Sequence, residues 1–204
     1  MVGLLLLTGW IASTSLKAAP SVAFPDTLPP HPWYAPRHVL LQAAGGQGLV
    51  AVGAGYTMAR RRLELDALLG YVPQKYSRTA MGIGTIKITY SPWIIPLAHH
   101  RWGLRPFAVG AFVSYTASKG LNSSRDGKYE KGYYWWSSHT RVGPFVGGQI
   151  QYERPRSTHR DARTISLYYE LGTNELYLAS WWANRGELTL REILTLGMGV
   201  KFHW

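Results

Sequence analysis

Three residues in the second half of the chain are of the types that nucleophilic catalysis needs: the Ser137 hydroxyl, the His139 imidazole and the Glu170 carboxylate. A hydroxyl attacks weakly until an imidazole takes its proton, and an acid that fixes the ring completes the set. If neighbouring strands brought the three together, the chemistry would be ester hydrolysis. The order Ser-x-His, and an alternation that turns His139 the same way as Arg141, weigh against a working triad. The remaining histidines, at 31, 38, 99, 100, 159 and 203, lack ligand spacing, so no metal is expected. Zero Cys removes thiolate ligands, cysteine nucleophiles and disulfides together, and no cofactor motif is read.

A second set is electrostatic. Glu64, Asp66 and Glu170 oppose Lys87, Arg141 and Lys201, and all six fall on the polar face of segments that alternate with period two. If that face lines the axis of a narrow closed sheet, each ion needs a partner, because an unpaired buried charge costs several kcal/mol. The expectation is a charge network plugging the lumen. The alternative is a narrow ion path through it.

The elements that must position these residues are strands. Period-two alternation runs from His38 to Trp204 in eight segments: His38 to Ala44, Gly48 to Met58, Arg62 to Pro73, Gly82 to Pro92, Arg105 to Thr116, His139 to Tyr152, Thr164 to Gly172, and Arg191 to the terminus. The last is the clearest: Leu194, Leu196, Met198, Val200, Phe202 and Trp204 alternate with Ile193, Thr195, Gly197, Gly199, Lys201 and His203. Half-buried strands of a soluble sandwich alternate too, so period alone does not decide. Three features favour an eight-stranded antiparallel up-and-down transmembrane barrel. The strand number is even and the segments have bilayer-crossing length. With the C-terminus on the periplasmic side, the long connections 117–138 and 173–190 fall outside and the short turns 59–61 and 154–161 inside. Tyr56, Tyr71, Tyr90, Tyr115, Tyr152 and Trp204 sit at the ends of apolar faces, where an interfacial girdle places them.

Ahead of the strands, Gly3 to Ala12 is a short apolar stretch followed by small residues, which reads as a signal peptide over 1–23 despite the lack of a preceding Lys or Arg. Residues 24–37 are proline-rich and read as a periplasmic N-terminal segment. The barrel is then 38–204. The net charge of +11 suggests an anionic partner. Arg60, Arg61, Arg62, Arg154, Arg156 and Arg160, with Arg101, Arg105 and Arg163, gather in the turns assigned to the periplasm, where guanidinium groups pair with lipid phosphates. They form no single stripe, so nucleic acid is not the expected partner. Loop 117–138 mixes cations with Tyr133, Tyr134, Trp135 and Trp136, suiting a lipopolysaccharide surface or a protein partner.

The tail Gly197-Met198-Gly199-Val200-Lys201-Phe202-His203-Trp204 resembles the C-terminal signal of outer-membrane barrels, with Phe202 and Trp204 as its aromatic positions. From His38 onward the chain resembles small eight-stranded outer-membrane proteins of the OmpA, OmpX and lipid A deacylase type, in strand number and pattern rather than in a long motif. The resemblance implies that fold, the outer membrane of a Gram-negative bacterium and delivery by the barrel-assembly machinery. It implies no activity. A deacylase would carry His-x-Ser-Asn on its lipid-facing surface, and this chain does not. The reading is a porin-like envelope protein with a structural or surface-interaction role; the alternatives are a lipid A or phospholipid acyl hydrolase and a narrow channel.

Overall fold

The computed structural model describes residues 34–77, 79–97, 101–118, 139–154 and 163–204. The signal-like segment, Ser137, Arg156, Arg160 and most of loop 117–138 lie outside the described residues.

Where alternation is strongest the chain is extended: β1 (His38–Ala44), β2 (Val50–Met58), β3 (Leu63–Val72), β4 (Met81–Tyr90), a two-residue β5 (Ile95–Pro96), β6 (Trp102–Ser118), β7 (Thr140–Glu153), β8 (Thr164–Gly172) and β9 (Thr195–His203). Each long strand pairs antiparallel with the next, β4 with β6 past the small β5, and β9 returns to β1 from His38 opposite His203 to Ala44 opposite Gly197. The sheet is a closed barrel of eight strands with no free edge. Following register partners once round returns to β1 about ten residues from the start, which for eight strands corresponds to a tilt of about 43°.

The polarity of the wall is reversed from that of a soluble core. Inward positions carry Glu64, Asp66, Lys87, Arg105, Glu170 and Lys201, all buried, while Leu69 (73%), Ile86 (62%), Leu167 (58%) and Met198 (56%) stand exposed outside. An apolar interior survives only in patches, such as Leu40, Ala51 and Leu68 against Tyr168. Eight strands leave a lumen that side chains can fill.

Two local departures matter. The register of β6 on β7 shifts between Arg105 and Ala108, a bulge that switches which parity faces inward. Beyond it Ala108 and Phe112 point in, and before it Gly103 and Arg105 do. The last strand also starts later than its alternation suggests. Arg191 to Ile193 belongs to a short helical turn, α2 (Leu190–Ile193), whose entry is capped by the Glu192 carboxylate accepting the Thr189 N–H at 2.8 Å. Before it, α1 (Glu175–Ala183) begins where the Asn174 side chain accepts the Tyr177 N–H at 2.9 Å. The finishes of β1, β3, β6 and β8 share one end of the barrel, called here the loop end, with the connections 45–49 and 173–194. The start of β1 and the finish of β9 mark the other, the terminal end, with the turn 59–62 and the finishes of β4 and β7.

Candidate functional site

The ion network begins on β3, where alternation sends Glu64 and Asp66 inward from consecutive inward positions. Lys201 of β9 reaches both, its Nζ 2.5 Å from Glu64 Oε2 and 2.8 Å from Asp66 Oδ2. The other Glu64 oxygen accepts from Arg105 of β6 at 2.7 Å, and the other Asp66 oxygen meets His38 Nε2 at 2.6 Å. Thr57 Oγ1 lies 3.3 Å from the far nitrogen of that ring. Lys87 of β4, 4.0 Å from Asp66, links this cluster to Glu170 of β8 at 2.6 Å. Gln42 closes the second cluster: its Oε1 accepts from Lys87 at 3.2 Å and from the Tyr168 hydroxyl at 2.9 Å, and its Nε2 donates to Glu170 at 3.4 Å. Three carboxylates thus meet three cations, and the Tyr168 ring lies 5.1 Å from Lys87 and 5.2 Å from Lys201.

Glycine makes this crowding possible. A Cβ on Gly55 of β2 would collide with Asp66 Oδ1 and stand 2.6 Å from His38 Nε2, so only the bare backbone lets that pair form against β2. At Gly199 of β9 the space a Cβ would need is taken by the Tyr168 phenol.

The network offers little chemistry beyond cohesion. His38, Glu64 and Asp66 present three ligand-type atoms within 4.8 Å of one another. The Lys201 ammonium, bonded to both carboxylates, occupies the place a divalent ion would take, and such an ion would have to displace it. At the terminal mouth, Arg37, Thr57, Arg61, Arg105, Gln151 and His203 surround about 20 Å³, room for roughly one water. Arg61 leans over that mouth. Its partial burial lowers its pKa from the ordinary value, with Glu153 opposing the shift and Arg105 and Arg37 adding to it.

Of the six residues expected in the lumen, the structure brings together Glu64, Asp66, Lys87, Glu170 and Lys201. Arg141 meets a different acid: near the loop end it stands 3.5 Å from Glu175 of α1, whose carboxylate also accepts the Val142 N–H at 2.8 Å. A third cation of the network is Arg105, which alternation put at the end of its segment on the outward parity of Phe107 and which the β6 bulge turns inward. The hydrolase set does not assemble among the described residues. His139 bonds the Thr116 carbonyl through Nδ1 at 3.0 Å near the start of β7. Glu170 is opposite Gly147, eight residues and about 26 Å further along that strand, and is held by Lys87.

In the turn 59–62, Arg60 and Arg62 are exposed, and Ala59, Arg60 and Arg61 all have positive φ (49°, 56° and 65°), a left-handed turn built without glycine. Arg154 is exposed at the end of β7. Phe202 and Trp204 face outward at the terminal end. Comparison with protein-family models, with curated proteins and with solved structures returns no match.

Proposed function

We propose that this chain is a barrel of the Gram-negative outer membrane whose lumen is closed by its ion network, and that it serves the envelope through structure and surface contacts rather than catalysis. The observation that carries the reading is the reversal of polarity: charged side chains meet along the axis and aliphatic ones stand exposed on every long strand. Soluble monomers rarely expose more than a few hundred Å² of contiguous apolar surface. Around this wall Val39, Val52, Leu69, Ile86, Val113, Val146, Leu167 and Met198 form a belt that only hydrocarbon would cover without cost.

Dimensions and aromatics support it. Ten residues of β3 or β4, tilted by about 43°, rise about 24 Å along the axis, close to the ~25 Å apolar band of outer-membrane barrels. Trp93, Trp102, Tyr152, Tyr90 and Trp204 ring the terminal end, and Tyr71 and Tyr115 the loop end. The loop end would then face outward, presenting α1 and its neighbours to lipopolysaccharide or a protein partner, and the terminal end would face the periplasm.

A conducting pore has less support, because the axis holds paired ions and rings rather than a continuous opening. The test is fractionation with electrophoresis of heated and unheated samples. An outer-membrane band whose mobility shifts on boiling supports the reading; a soluble band that does not shift overturns it. Planar-bilayer recording should give no unitary conductance.

A further inference from the structure

We propose that the outer wall at the terminal end, over the β8–β9 seam, carries a discrete site for an anionic phospholipid, with Arg154 and Arg163 holding its phosphodiester and Ile165, Phe202 and Trp204 its acyl chain. The inference rests on the membrane reading above and adds a ligand to it. A groove of about 390 Å³, within the usual range for small-ligand sites, lies between these residues and is chiefly apolar. Ile165 and Phe202 are cross-strand partners that form its floor.

The two arginines are placed by parity and by pairing. Arg163 precedes Ile165 by two residues and Arg154 follows Tyr152 by two, so both continue outward faces instead of turning into the lumen. The Arg154 N–H donates to the Arg163 carbonyl at 3.0 Å, which sets the two residues opposite each other where β7 and β8 end. At the barrel's tilt Arg163 stands about 5 Å beyond Ile165 along the axis, with Arg154 farther toward the terminal end, the relation of a phosphate to the first methylenes of its chain. Both are exposed, and among the described residues neither forms an ion pair. The neighbouring acid, Glu153, has the opposite parity.

Two guanidinium groups facing one groove favour a headgroup whose phosphate is not balanced by its own ammonium, such as phosphatidylglycerol, over phosphatidylcholine. Guanidinium also matches phosphate in a bidentate way that an ammonium cannot. Each cation near an anionic headgroup is worth up to about five-fold in affinity, so the two, acting less than additively at one headgroup, should give a preference on the order of ten-fold.

The groove contains its own reporter, Trp204. The protein is inserted into vesicles of phosphatidylcholine to which phosphatidylglycerol or phosphatidylcholine with brominated chains is added, and quenching is read as the difference between the parent protein and W204F. The expected result is quenching of this component by the brominated anionic lipid at about ten-fold lower mole fraction. That preference should fall to near unity in R154Q/R163Q and persist in R60Q/R62Q, which removes equal charge at the same end. Equal quenching by both lipids, or a preference untouched by R154Q/R163Q or lost equally in R60Q/R62Q, overturns the site. If heat-shifted mobility persists in that case, the membrane reading stands. A chain that stays out of vesicles overturns both.

Discussion

The two faces of β3 share one backbone and one run of ten residues, yet they are built for opposite surroundings. Inward, Glu64, Asp66 and Leu68 are each no more than 2% exposed, and the two acids share Lys201. Outward, Leu65 and Leu69 are exposed, at 37% and 73%. In a soluble sheet the apolar face finds its partners within the protein and the polar face finds water. Here the polar face finds its partners within the protein, and the apolar face must find them elsewhere. The inner face is therefore a matter of specific pairs and the outer face a matter of the medium, and perturbations should separate the two.

The largest effect should come from K201M, which strips the shared cation from two buried carboxylates. A loss of about 3–5 kcal/mol is expected in denaturant unfolding of the refolded protein. Adding E64Q and D66N should recover part of that loss; no recovery would mean the acids do not depend on the ammonium. Next is I86R, at mid-height on the outer wall. In a bilayer it should cost about 2–4 kcal/mol, whereas on a water-facing wall an exposed substitution stays within about 0.5 kcal/mol, so vesicle-based unfolding decides which medium Ile86 meets. G55A comes third: its methyl group would force the His38–Asp66 pair off β2, at about 1–3 kcal/mol, with no effect on surface contacts. The smallest is E175Q, which weakens a half-exposed pair with Arg141 and should cost less than about 1 kcal/mol. A larger value in thermal unfolding would mean that α1 braces the barrel wall.

What the sequence revealed depends on the range of the physics involved. Alternation is local, so it located the strands and sorted Glu64, Asp66, Lys87, Glu170 and Lys201 to one face before any pairing was known. It could not anticipate the bulge between Arg105 and Ala108, because an inserted residue is visible only in the register with β7. One shifted residue moved Arg105 from the outward parity to the axis. The pairing of Arg141 with Glu175 was illegible for a different reason: that acid begins a helix in a long connection, where period-two reasoning stops. The same limit applies at Arg191, where a capped turn replaces the first residues of an otherwise regular strand. His139 and Glu170, at the start of one strand and within its neighbour, stand far apart because register, unlike alternation, is a property of two strands together, and it sets Glu170 opposite Gly147.

The seam between β1 and β9 carries one more implication. The first strand described cannot satisfy its second edge until the last one has been synthesised, so no partial chain has a finished wall, and assembly must wait with exposed backbone at both margins. Closure is thus the property of the last strand described: only with His38 set against His203 does every long strand have a neighbour on both sides.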